Sequence, residues 1–155
     1  MKRVMLIVVM TIALSYCENS KDDSLLWKFL DHVTDYGDEF VEYNKDFAEI
    51  SGALDGSEFD NAMGLHQIAS TAVDLQSRIS DVVFIYLIIR NEDDRTAVRK
   101  VINNIKPHIL KRLDLLGGDI NLILPYSKNK HLIAKGNQLN EKIDEFAKTL
   151  RDFKF

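Results

Sequence analysis

Cysteine occurs once in the 155 residues, at Cys17. No intramolecular disulfide can form, so the fold has to stand on its apolar core. The longest largely apolar run, Val4 to Leu14, is eleven residues interrupted only by Thr11, against the roughly 20 that span a bilayer. Proline is confined to Pro107 and Pro125, and no repeat or low-complexity segment is present. Sequence signatures of chemistry are missing too. There is no Gly-x-Ser-x-Gly for a serine nucleophile, no glycine-rich phosphate loop and no Cys-x-x-Cys-His for haem.

What is present begins at the N-terminus. Met1-Lys2-Arg3, the apolar run and Ser15-Tyr16-Cys17 follow the charge, apolar and small-residue order of an export signal. The end of this leader resembles a bacterial lipoprotein signal, with Cys17 as the acylated residue; Leu14 and Ser15 fit that pattern and Tyr16 departs from it. Two other outcomes remain open. Cleavage after Ser15 would release a soluble exported protein, and retention of the run would leave an anchor that is short for a bilayer. The expected organisation is a signal sequence over residues 1–17, a polar tether over 18–23 and a helical domain over 24–155. The expected location is the cell envelope, periplasmic or outer-membrane, with soluble secretion as the alternative.

From Ser24 onward the apolar residues recur at steps of three and four, the signature of helices that bury one face. Leu26, Leu30, Val33, Tyr36, Phe40, Tyr43 and Phe47 mark a first helix, with Ser24 as a candidate N-cap and Ser51-Gly52 as its end. A second runs from about Ser57 to Arg90. Its first half is rich in small residues, and its end, Val82 to Ile89, is apolar on every side; such a run suits a buried strand, but with no second strand to pair with it the end of a long helix is expected. A third follows the cap region Asn91 to Asp94, carries Pro107 as an expected kink, and is expected to stop at Gly117-Gly118. Asp119 to Leu124 are expected to add one further helical turn or two, stopped by Pro125, before a fourth helix from about Lys128–Lys130. Four amphipathic helices with short connections predict an all-α, antiparallel four-helix bundle with a kinked third helix.

Charge is strongly divided along this pattern. Glu18 to Asp94 holds 18 Asp and Glu against 5 Lys and Arg, net −13, while Arg95 to Phe155 holds 6 against 13, net +7. One implication is internal: acidic helices one and two neutralise basic helices three and four across their edges. The other concerns a partner. Asp31, Asp35, Asp38, Glu39, Glu42, Asp46 and Glu49 on the first helix form a candidate binding surface for a basic protein, relieved there only by Lys28 and Lys45. The Lys and Arg of the second half are dispersed, which argues against nucleic acid.

Metal ligation has little support. His32, His66, His108 and His131 fall one to a helix, and no carboxylate lies three or four residues before any of them, so the ferritin-like Glu and His pairing is absent. No cofactor and no metal are expected. The sequence points to a non-enzymatic binding module of the antagonist or adaptor type, similar in size and class to small all-helical periplasmic immunity proteins, although no motif carries that likeness. The competing expectation is a small-ligand carrier or sensor, with a pocket between bundle helices lined by Phe40, Tyr43 and Phe47. A homodimer also stays open, because long bundles with wide apolar stripes often pair.

Overall fold

The structure, a computed structural model, describes residues 21–154; the leader of residues 1–17, with Cys17, lies outside the described residues. Four helices follow one another: α1 (Lys21–Ser51), α2 (Gly56–Ile88), α3 (Glu92–Ile123) and α4 (Lys130–Asp152), with a 3-10 turn (Leu124–Tyr126) between the last two. Each helix packs chiefly on its neighbours in sequence, and α4 closes back on α1.

Named contacts fix the directions. Along the α1–α4 seam Phe29 stacks on Phe153 with ring centroids 4.0 Å apart, Tyr36 bonds Thr149 at 3.0 Å, and Asp46 meets Lys135. One number rises as the other falls, so the two helices are antiparallel. Trp27 with Phe84 and Asn44 with His66 give the same result for α1 and α2. Tyr86 with Arg99 and Gly64 beneath Ile123 give it for α2 and α3. The bundle therefore runs up, down, up, down.

Aliphatic and aromatic side chains from all four helices fill one continuous core. Its centre on the α1 side is a cluster of rings, with Phe146 5.2 Å from Tyr36 and 5.8 Å from Phe40. Phe40, Phe47 and Phe146 are wholly buried, as are Leu65, Leu113, Leu139 and Ile143. Fully burying such a side chain contributes about 1.5–3 kcal/mol, so this core, rather than any covalent staple, holds the fold. Trp27 and Phe29 close one end of it: Phe29 is buried and Trp27 packs edge-on against Phe84.

Local signals explain most helix boundaries. Asn91 caps α3 by accepting from the Asp93 and Asp94 amides, and Asn129 caps α4 by accepting from those of His131 and Leu132. Gly56 opens α2 with φ 56°, a left-handed conformation that glycine adopts at little cost. The end of α2, ambiguous by its uniformly apolar sequence, is helix through Ile88.

Two expected boundaries are corrected. Ser24 does not cap α1, because the helix already includes Lys21, Asp22 and Asp23. Asp23 accepts a 3.0 Å bond from Arg95 at the start of α3, which ties this first turn into the bundle. Nor do Gly117-Gly118 end the third helix, which continues to Ile123. Gly117 is buried where α4 passes close: a Cβ there would come 3.1 Å from Asn140 Oδ1. The glycine serves helix approach, and the turn that ends the run forms around Pro125 instead. Pro107 sits on the exposed side of the kinked third helix without breaking it, since the carbonyl left without its N–H donor can turn to solvent.

Candidate functional site

The seven acidic residues of α1 divide by their position around the helix. Asp31, Asp35, Asp38, Glu42 and Glu49 follow at steps of four, three, four and seven, which stacks them in one line. All five are exposed, and the line lies opposite Val33, Phe40 and Phe47 in the core. Glu39 and Asp46 are rotated toward α4. Glu39 pairs with Lys142 at 2.9 Å, and Asp46 pairs with Lys135 at 2.6 Å.

The bases of this seam respond accordingly. Lys142 bonds Glu145 and Glu39 together, and the two carboxylates push its pKa well above the usual lysine range. Lys135 is also raised, chiefly by its bond to Asp46. Each ammonium sits near an aromatic face, Lys142 5.7 Å from the Tyr36 ring and Lys135 5.9 Å from that of Tyr43. Burial raises the Tyr43 phenol, with Lys142 opposing that shift. Acidic α1 and basic α4 thus neutralise each other along their shared edge. Asp31, Asp35, Glu42 and Glu49 take no ion pair among the described residues.

Other charges tie elements together. Arg95 is raised by its bond to Asp23 and also bonds the Ile89 carbonyl, while both Arg95 and Arg99 lie against the Tyr86 ring. Lys106 of α3 donates to the Phe153 carbonyl at the end of α4, and burial lowers its pKa. Glu58 in the first turn of α2 accepts from the Ser127 hydroxyl and the Lys128 amide, which holds its carboxyl below the ordinary value. Arg95, Lys106 and Glu58 are thus engaged in tying elements together, while Tyr43, Lys135 and Lys142 lie together at the α1–α4 edge.

Among the described residues no cluster of three or more His, Cys, Asp and Glu is placed to hold a metal ion. His66 Nδ1 lies 2.9 Å from the Asn44 carbonyl, and Asn44 donates back to the His66 carbonyl, so this histidine braces α1 against α2. His32, His108 and His131 are exposed. Phe40 and Phe47, expected in the wall of a ligand pocket, are instead core residues with no exposed surface. Tyr43 borders only a shallow surface recess of about 260 Å³, with Glu39, Glu42, Asp46 and Lys135.

The outer face of α2 and α3 carries a feature that no sequence motif marks. A groove of about 670 Å³ runs between these helices, floored by Leu75, Val82, Ile105 and Ile109. Val82, at one end of the groove, begins the run to Ile89 that is apolar around the whole helix, and Ile85 and Ile88 of that run are left exposed.

Among the described residues no helix is long and apolar enough to cross a membrane. In comparisons with known proteins the chain matches no family model, no curated protein and no solved structure.

Proposed function

We propose that this protein is an exported, lipid-anchored helical module of the bacterial cell envelope that binds a basic protein partner and catalyses no reaction. Cys17 is the acylated residue, and the short polar segment after it sets the bundle close to the membrane surface. The binding surface is the outward line of Asp31, Asp35, Asp38, Glu42 and Glu49. An antagonist of a cationic enzyme or toxin, or an adaptor for a cationic envelope protein, fits this description.

The observation that carries the reading is the division of the acidic residues of α1. Glu39 and Asp46 are satisfied by Lys142 and Lys135, whereas Asp31, Asp35 and Glu49 of the line beside them take no ion pair among the described residues. Internal neutralisation accounts for Glu39 and Asp46 and not for Asp31, Asp35 and Glu49. A line of like charge costs stability through mutual repulsion, and it also accelerates association with an oppositely charged partner. The packed bundle interior, with Phe40 and Phe47 wholly buried, favours binding by this surface over carriage of a small ligand.

Crosslinked capture of the tagged full chain from native envelopes tests the proposal. One near-stoichiometric protein with a basic surface is the expected product, identified by mass spectrometry. Recovery of the chain alone, or with lipid only, contradicts the partner reading.

A further inference from the structure

Of the nine large apolar side chains exposed among the described residues, eight lie on α2, α3 or the 3-10 turn, and only Leu25 lies elsewhere. Exposed apolar surface gathered on one side of a bundle marks a contact face. On this side lies the groove between α2 and α3. Its rim carries Asp74, Arg78, Asp81 and Arg112, two charges of each sign. None of the four takes an ion pair or side-chain hydrogen bond among the described residues. The α1–α4 seam closes its acid–base pairs internally; the α2–α3 seam leaves its charges open.

The register of the two helices orders these groups. Tyr86 meets Arg99, and Gly64 lies beneath Ile123. Asp74 of α2 therefore stands level with Arg112 of α3, and Ile85 stands level with Val101. Ile85 and Val101 are 44% and 46% exposed.

We infer that the occupant of this face is a second copy of the same chain. A two-fold contact has to be complementary to its own image, residue for residue. With the axis in the contact plane and parallel to the helices, α2 of one copy lies on α3 of the other with every level preserved. Asp74 then faces Arg112 of the second copy and Ile85 faces its Val101, each pairing occurring twice. A basic partner gains nothing here, because the rim is balanced in sign.

The direction of the axis follows from the chain ends, and this step rests on the lipid anchor proposed above. Residues 18–20 separate Cys17 from α1, and such a link reaches only about 3.3–3.6 Å per residue. Both anchored copies must therefore begin α1 at the same membrane. The parallel axis puts both N-termini at one end of the dimer; an axis across the helices sends them to opposite ends.

Sedimentation equilibrium of the full chain, extracted from envelopes in density-matched detergent, tests the pairing. A dimer at micromolar concentration is expected, with the dissociation constant raised at least about tenfold by Asp74→Arg and largely restored by adding Arg112→Asp. Asp74 is exposed, and circular dichroism verifies that the variant remains folded. Ile85→Lys serves as an independent disruption of the same face. In intact envelopes, co-expressed chains bearing Ile85→Cys and Val101→Cys under different tags are expected to form a mixed disulfide that Ile85→Cys with Lys148→Cys does not form. A monomeric chain overturns the inference, as does a dimer indifferent to Asp74→Arg and Ile85→Lys. Absence of the mixed disulfide overturns the pairing of α2 on α3. None of these residues belongs to the acidic line of α1, so loss of the dimer and loss of the basic partner are separate outcomes.

Discussion

Lys142 on α4 holds Glu39 on α1 at 2.9 Å while also bonding Glu145, one turn along its own helix, at 2.7 Å. One ammonium thus pairs with two carboxylates and lies over the face of Tyr36. The pairing makes α1 and α4 neighbours electrostatically as well as by packing. It also removes Glu39 from the surface open to a partner.

Replacing Lys142 by methionine is expected to cost little, about 1 kcal/mol or less, because pairs near the surface exchange one set of solvated charges for another. Urea unfolding followed by circular dichroism measures it. A loss of several kcal/mol would mean that the seam, rather than the core, sustains the fold.

Acid should loosen the junction before α4. The Glu58 carboxyl titrates below its ordinary value of 4.5 because Ser127 and the Lys128 amide hold the charged form. A carboxylate with a depressed folded pKa contributes its stability fully above the unfolded value, and loses it as pH falls through the folded value. The melting temperature is expected to fall on acidification from pH 4.5 downward. Glu58→Gln should lower it at neutral pH and remove that component of the acid dependence. Parallel thermal scans of both proteins between pH 7 and pH 3 check the sign.

Two glycines in helix interiors should answer alanine in opposite directions. A Cβ on Gly136 would meet Leu124 at 2.5 Å and Leu65 at 3.3 Å, so Gly136→Ala forces core side chains apart and is expected to cost about 1–3 kcal/mol. Gly118 has nothing within 4 Å of its Cβ position, so Gly118→Ala should raise stability by roughly 0.5–1 kcal/mol through helix propensity. Urea midpoints of the two variants against the parent chain separate these effects.

Acylation is checked by metabolic labelling with palmitate. The full chain is expected to take up label and partition with membranes, and Cys17→Ser is expected to do neither. Equal labelling of both chains would remove Cys17 as the anchor.

The helices were legible because three–four apolar spacing persists over each of them, and because Asn91 and the residues before Lys130 carry turn and cap chemistry. Gly117-Gly118 misled because a local stop signal and a tertiary requirement for close approach use the same residue type; only the position of Asn140 distinguishes them. The first turn of α1 was hidden for a similar reason, since Asp23 is fixed by Arg95, 72 residues away. Around α1, spacing alone separates the outward acidic line from Glu39 and Asp46. Which of the two faces meets basic α4 depends on packing, which the sequence of α1 does not contain. The exposed α2–α3 face was written into Val82 to Ile89 as an excess of apolar residues, more than one buried side could use.

The acidic line of α1 is the central claim, and its charge reversal is the most direct measurement. Asp31→Lys, Asp35→Lys and Glu49→Lys together reverse the outward line while sparing Glu39, Glu42 and Asp46, so the ion pairs to α4 survive. Envelope capture is compared for the parent and this triple variant, at low salt and at several hundred millimolar salt. The account predicts one basic protein held by the parent, released by salt, and lost from a variant that keeps its helical circular dichroism and melting transition. Capture of the same protein by both chains with unchanged salt dependence would contradict it.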